Sequence, residues 1–189
     1  MRARQAVRAG MAERFTALSK RLGADHVVDL SGYGAIADSA LTSKREIEIA
    51  ETGLPTTFVP ARNLVFLTVA AAQAWRSGAT TLVGGMCQTD YAGYPDCRAE
   101  TIEAQAKALS LGLGEPVAVE TPLMHLTKAQ TWALAHELGG DGLVDLIVSE
   151  SHTCYRGERG RRFDWGHGCG DCPACDLRAK GWMKWRGAA

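Results

Sequence analysis

No stretch of this 189-residue chain stays apolar over the roughly 18 to 20 residues that a membrane-spanning helix needs. The opening residues, with Arg2, Arg4, Arg8, Glu13 and Arg14, also lack the apolar segment of a secretory leader. Both absences predict a cytoplasmic protein without a membrane partner. Net charge is missing as well, because 21 basic and 21 acidic side chains cancel. That removes the overall basic footprint of a nucleic-acid binder. There is no internal repeat, no low-complexity tract, no Walker loop, no zinc-protease helix and no justifiable Ser/His/Asp set, and the five histidines are scattered. Gly166, Gly168 and Gly170 lie beside cysteines rather than between a strand and a helix, so they make no dinucleotide fingerprint.

What is present describes an ordinary globular protein. Apolar residues make up 46% and charged residues 22%, which excludes disorder and collagen. The length suits about one domain with a small appendage. Charge is unevenly spread: residues 1 to 22 carry six basic and one acidic group, residues 156 to 186 carry eight and four, and the middle is acidic. The basic ends read as solvated faces with room for an anionic ligand.

Residues 2 to 22 predict an amphipathic helix, with Val7, Met11, Phe15, Leu18 and Leu22 on one stripe and Gly23 as its stop. A short strand is expected at His26 to Leu30. A long connection follows to Pro60, with a helical turn at Lys44 to Ala50; its Ser31, Gly32, Tyr33, Gly34 stretch resembles a nucleotide loop only superficially. Arg62 to Trp75 is apolar on nearly every face and predicts a buried helix stopped near Gly78. Thr80 to Gly84 predicts a buried strand, Arg98 to Leu111 a helix, Val117 to Val119 a strand, and Lys128 to Leu138 a helix capped by Thr127. This alternation implies an α/β fold, a parallel sheet covered by helices, with chemistry in the loops after Leu30, Val83 and Val119. Domain boundaries are expected at 1–149 for the ligand-binding α/β part and 150–189 for the tail. The tail is rich in Gly, Cys, Arg and Trp, and too poor in aliphatic side chains to fold without a staple.

Cys154, Cys169, Cys172 and Cys175 supply that staple. Four thiolates close a tetrahedral zinc shell, and two-residue gaps let sulfurs converge on one ion. The spacing also fits iron–sulfur ligation, and free or paired thiols are the bland alternative. Cys87 and Cys97 stand apart and are read as small buried residues rather than ligands. The loop from Gln88 to Arg98 gathers two carboxylates, two phenols and a guanidinium, a lining suited to a planar polar ligand or to a plain turn around Gly93 and Pro95. Arg62 and Asn63 begin a helix whose free N–H groups could meet a phosphate or merely need capping. Lys128 sits in a first helical turn, where the dipole gives a cation no help, which hints at a ligand role.

Taken together, FVPARNLVF (Phe58 to Phe66), DYAGYPDCR (Asp90 to Arg98), ETPLM (Glu120 to Met124) with Lys128, and Thr153 to Gly181 with its four cysteines resemble one family, the 7-cyano-7-deazaguanine synthases of queuosine biosynthesis. The resemblance covers most of the chain from about residue 56 onward. It implies an adenine-nucleotide alpha-hydrolase-like fold with helices on both faces of the sheet, a homodimer, and structural zinc on Cys154, Cys169, Cys172 and Cys175. The implied reaction is ATP-dependent, Mg2+-assisted conversion of 7-carboxy-7-deazaguanine and ammonia to the nitrile. By position, Arg62 and Asn63 would face the nucleotide. Tyr94, Asp96 and Arg98 would face the deazapurine or its carboxylate, and Lys128 the phosphates. Asp96, Arg98 and Lys128 form the catalytic set.

Members of that family open with a strand and a Ser-Gly-Gly-x-Asp-Ser loop around the ATP phosphates, and no such loop occurs among these 189 residues. The chain is therefore expected to be N-terminally truncated and, by itself, silent in nitrile synthesis, with activity returning on N-terminal extension. Two other readings compete. One is a related adenylating enzyme of phage defence, against which the Asp90 to Arg98 motif argues. The other is a zinc-stapled module that binds a nucleotide or a partner chain through Arg156 to Arg162 without catalysis.

Overall fold

The structure, a computed structural model, describes Phe15, Lys20 and residues 23–89 and 93–187. The helix expected over 2–22 lies almost wholly outside the described residues. The chain forms two compact units, one made of Gly32–Leu126 and the other of Met1–Ser31 with Thr127–Ala189.

The first described helix is α1 (Ser31–Ala37), followed by turns to Pro60. Within Gly32–Leu126, α2 (Arg62–Ser77) leads to β1 (Thr81–Val83), a 3-10 turn (Pro95–Cys97), α3 (Ala99–Leu113) and β2 (Ala118–Glu120). β1 and β2 pair in parallel, Leu82 opposite Val119. One apolar stripe of each helix closes on that pair. Leu67 and Ala71 from α2, Ile102 and Leu109 from α3, and Met124 form the core, with Leu82, Val119 and Val117 packed against it. The βαβ order read from the sequence is thus present, and α2 and α3 lie within two residues of their expected starts, whereas α1 falls in a stretch expected to be a connection.

Four expectations need correction. His26 to Leu30 forms no strand: Val27 and Val28 are exposed, and without a neighbour to pair with, a short apolar run has no ladder to join. Lys44 to Ala50 is extended, not helical. Ile49 bridges Pro55, Ala50 N–H donates to the Leu54 carbonyl, and the Thr56 hydroxyl donates to the Glu46 carbonyl while accepting from Glu48 N–H, a side-chain alternative that outcompetes a helix. The β1 strand is not buried on both faces, since only Leu82 turns inward and Val83 is 72% exposed. For the same reason α2 is not buried all round: Phe66 and Trp75 remain exposed while Leu67, Ala71 and Ala74 carry the contact. The described sheet has two strands, and its outer face, Thr81 and Val83 with Ala118 and Glu120, is open among the described residues.

In the second unit, α4 (Lys128–Glu150) runs twelve residues past its expected end. The pattern broke at Leu138 because Gly139 and Gly140 depart from helical geometry there, Gly140 at φ 58 and ψ −159; the helix then resumes. A hairpin of β3 (Arg162–Phe163) and β4 (Gly166–His167) and a final helix, α5 (Pro173–Arg186), complete it. The α4–α5 core is aromatic: Trp182 meets Trp132 edge-on at 4.9 Å and Trp185 stacks on it at 6.1 Å. The cysteine-bearing segment makes its own core from sulfur and rings, Cys154, Cys169, Cys172 and Cys175 with Trp165, Phe163 and Tyr155. Among the described residues no helix is long and apolar enough to cross a membrane.

Candidate functional site

The start of α2 gathers most of the residues singled out in Gly32–Leu126. Ala61, in the left-handed region at φ 57, turns the chain into the helix with no side-chain cap of its own. The cap comes from the 3-10 turn. Asp96 Oδ2 accepts from Asn63 N–H at 2.9 Å and from Asn63 Nδ2 at 3.0 Å, and the same amide donates to Cys97 Sγ at 3.2 Å. A carboxylate at a helix N-terminus is favoured by the dipole and by the unpaired N–H groups there. At 4% exposure, Asp96 is consumed largely by Asn63 and sits beneath the surface. Tyr94, one turn earlier, stacks on Phe58 at 5.6 Å, and its hydroxyl lies 2.6 Å from that of the fully buried Thr57. Tyr94, Asp96, Arg62 and Asn63 are thus brought to one helix end.

Arg98 leaves the turn on the solvent side, exposed, as the N-cap residue of α3, and its guanidinium engages no carboxylate among the described residues. The α3 N-terminus is served instead by Gln88, whose Oε1 accepts from Ala99 N–H at 3.1 Å. Gln88 also reaches His125 Nδ1 with its amide and takes the Met124 carbonyl with its backbone N–H. Thr89 donates to the Leu126 carbonyl at 2.6 Å and Cys87 does so at 3.1 Å. The loops after β1 and β2 are therefore tied to each other beyond the carboxyl ends of the parallel strands, where the topology of an α/β sheet places ligands.

Sequence reading missed two members of this cluster. Tyr33, in a stretch dismissed as a false nucleotide loop, donates its hydroxyl to the Pro60 carbonyl at the threshold of α2. Burial raises its pKa first, the Asp96 charge adds to the rise, and Arg62 opposes both. Cys97 touches Asn63 rather than simply filling space; its position next to Asp96 was the available signal. Lys128 lies in the other unit, half-buried, where a reciprocal capping box between Thr127 and Gln130 starts α4.

The four tail cysteines converge as the spacing predicts. Their sulfurs lie within 4.8 Å of one another, and all four residues are buried. Backbone N–H groups already aim at two of them: Cys169 N–H at Cys154 Sγ, 3.4 Å, and Cys172 N–H at Cys169 Sγ, 3.3 Å. Gly168 makes room for the fourth, since a Cβ there would stand 2.5 Å from Cys175 Sγ. Burial works against the Cys154 thiolate, but N–H groups of Cys169, Glu158 and Arg156 outweigh it and bring the thiol to about 7. Burial pushes Cys175 up to about 12. A divalent cation supplies the charge that lets such unequal thiols ionise together, so the donor set fits a metal ion. Cys87 and Cys97 lie outside the cluster. Around it, Arg156 pairs with Asp171 at 2.8 Å and Arg161 donates to the Cys169 carbonyl at 2.7 Å.

These features define an α/β protein with a parallel sheet, polar loops at its carboxyl edge and a four-cysteine cluster in its tail whose geometry fits a metal ion. A model of the family described as "Queuosine biosynthesis protein QueC" matches residues 3–186. A 7-cyano-7-deazaguanine synthase of Maricaulis maris (strain MCS10) is 64% identical over 186 residues, covering 98% of this chain and 76% of the relative. That of Caulobacter vibrioides (strain NA1000 / CB15N) is 62% identical over 98% of this chain and 76% of its own length, and that of Bradyrhizobium sp. (strain ORS 278) 59% over 97% and 78%. The chain belongs to the QueC family.

Proposed function

We propose that this protein serves queuosine biosynthesis by turning 7-carboxy-7-deazaguanine and ammonia into 7-cyano-7-deazaguanine at the expense of ATP. The observation that carries the reading is the junction at the start of α2, where the Asp96–Asn63 pair ties the turn between Tyr94 and Arg98 to the helix that Arg62 opens, in a QueC-family chain.

The chemistry asks for two activations. A carboxylate oxygen of the substrate attacks the α-phosphorus of ATP, releasing pyrophosphate and leaving an acyl adenylate. Ammonia displaces AMP to give the amide. The amide oxygen is adenylated in turn, and loss of AMP and protons leaves the nitrile. Charge accumulates on phosphate and carboxylate oxygens, so positioned cations and N–H groups contribute most. Arg98 pairs with the substrate carboxylate, Tyr94 offers a ring face to the deazapurine, Arg62 and Asn63 meet the nucleotide, and Lys128 meets the phosphates with Mg2+. Asp96, buried and bonded to Asn63, holds the start of α2 against the turn between Tyr94 and Arg98. The fold is of the adenine-nucleotide alpha-hydrolase type, with 1–149 as ligand-binding part and 150–189 as a segment closed by zinc on Cys154, Cys169, Cys172 and Cys175; the working form is a homodimer. Four protein ligands leave zinc no open position, so its contribution is to the fold.

Calorimetric titration with 7-carboxy-7-deazaguanine tests the reading. The chain should bind it, and Arg98→Ala should weaken binding by about 10- to 100-fold, the loss of a charge-assisted hydrogen bond worth about 1.5–3 kcal/mol. Equal affinity in both proteins would remove Arg98 from the site, and no binding to either would overturn the assignment. Capture of a partner by the Arg156–Arg162 stretch, with neither ligand bound, would favour a binding module.

A further inference from the structure

Helix α5 approaches α4 more closely at one point than side chains normally allow. A Cβ built on Gly181 would lie 2.4 Å from Lys128 Cβ, 3.1 Å from its carbonyl carbon and 3.3 Å from its Cα. Gly181 is buried in the middle of a 14-residue helix, where glycine is the poorer helix former. That disadvantage has to be offset by something, and what glycine permits here is backbone contact with the first residue of α4.

The contact is fixed from three directions. Thr127 and Gln130 cap the turn that holds Lys128. One turn further along, Trp132 is gripped by Trp182 and Trp185, which follow Gly181 on α5. The start of α5 carries Cys172 at its N-cap and Cys175 in its first turn, both in the cysteine cluster. Side chains in a helix lean toward its N-terminus, so a displacement of Lys128 Cα and Cβ moves the ammonium with them.

We infer that Gly181 is a positioning residue for Lys128: the absence of a side chain at 181 sets where the Lys128 ammonium stands. The inference rests on the reading that Lys128 meets the ATP phosphates. Any side chain at 181 forces the α4 start and α5 apart by about an ångström to restore ordinary contact, enough to stretch a charge-assisted hydrogen bond from the ammonium out of range, a loss worth about 10- to 100-fold in binding.

The test is a double-mutant cycle read by calorimetric titration with Mg-ATP, made on the chain joined to the strand and Ser-Gly-Gly-x-Asp-Ser loop with which members of the family open, alongside metal content and thermal unfolding of each protein. Gly181→Ala should retain its metal and weaken ATP binding by about 10- to 100-fold; Lys128→Ala should weaken it similarly; the double variant should lose no more than either alone. A structural role would lower the unfolding midpoint of Gly181→Ala without moving ATP affinity, and that result, or losses that multiply in the double variant, overturns the inference while leaving the Lys128 role intact. Unchanged ATP affinity in Lys128→Ala sinks the phosphate role and the inference with it. Should Gly181→Ala fail to fold, the exchange Lys128→Gly with Gly181→Ala relieves the crossing and should recover a folded, metal-loaded protein; failure to recover it also overturns the contact as the seat of the effect.

Discussion

Asp96 illustrates how one buried carboxylate ties a helix start to a turn far along the chain. Its Oδ2 satisfies two donors of Asn63 at the start of α2, and little solvent is available to replace it. Asp96→Ala leaves the Asn63 backbone N–H and amide unpaired at the end of a helix, at a cost of about 1–3 kcal/mol. Urea unfolding should show the midpoint falling accordingly, and 7-carboxy-7-deazaguanine binding should weaken together with it, because Tyr94 and Arg98 flank the same turn. Lost stability with undiminished binding would confine Asp96 to capping. Sequence reading placed Asp96 in the site from its neighbours but could not tell that Asn63, 33 positions earlier, would be its partner. Pairing at that range is decided by how α2 meets the turn, which no local pattern encodes. Tyr33 escaped for a related reason: its neighbours are weak structure formers, and its partner is a backbone carbonyl at Pro60.

At the scale of elements, what local chemistry decides was legible. Thr127 caps α4 as expected, with Gln130 completing a capping box that was not foreseen, and α2 ends at Gly78 as expected. What tertiary pairing decides was not, as the missing strand at His26 to Leu30 and the half-open α2 show. The kink in α4 lies between these cases, since the pattern failed at the right residue but for a break rather than an end. Gly140, at φ 58 and ψ −159, occupies a region close to glycine's alone. Gly140→Ala has open space for its methyl group, so the strain is purely in the backbone, about 1–3 kcal/mol. Thr127→Ala, removing one cap, should cost about 1 kcal/mol. Thermal unfolding of the two variants should therefore rank Gly140→Ala at least as destabilised as Thr127→Ala. A neutral Gly140→Ala would mean that α4 straightens at little cost and that the kink carries no constraint.

For the whole molecule, the cysteine cluster is wired into more than its own loop. Arg178, buried on α5, donates to the Trp165 carbonyl at 2.7 Å, the Ser151 hydroxyl at 3.0 Å and the Ile147 carbonyl at 3.0 Å, and lies over the Trp132 ring at 5.3 Å. Burial brings its pKa down to about 10, so it stays charged at neutral pH while joining the end of α4 to the four-cysteine segment. In zinc-finger peptides, structural zinc contributes folding free energy on the order of 10 kcal/mol, far above what the aliphatic-poor tail can replace. Stripping the metal with a chelator, or acidifying so that protons compete for the sulfurs, should thus loosen residues 144–187 as a block. Amide exchange should lose protection along that stretch, including the last turns of α4, and near-ultraviolet circular dichroism from Trp132, Trp165, Trp182 and Trp185 should collapse. Leu67, Ala71, Ile102 and Leu109 form a separate core in Gly32–Leu126, so α2 and α3 should keep their protection. Loss confined to the four-cysteine loop would show that Arg178 transmits nothing to α4, and no loss at all would mean that thiols and rings hold the tail without an ion.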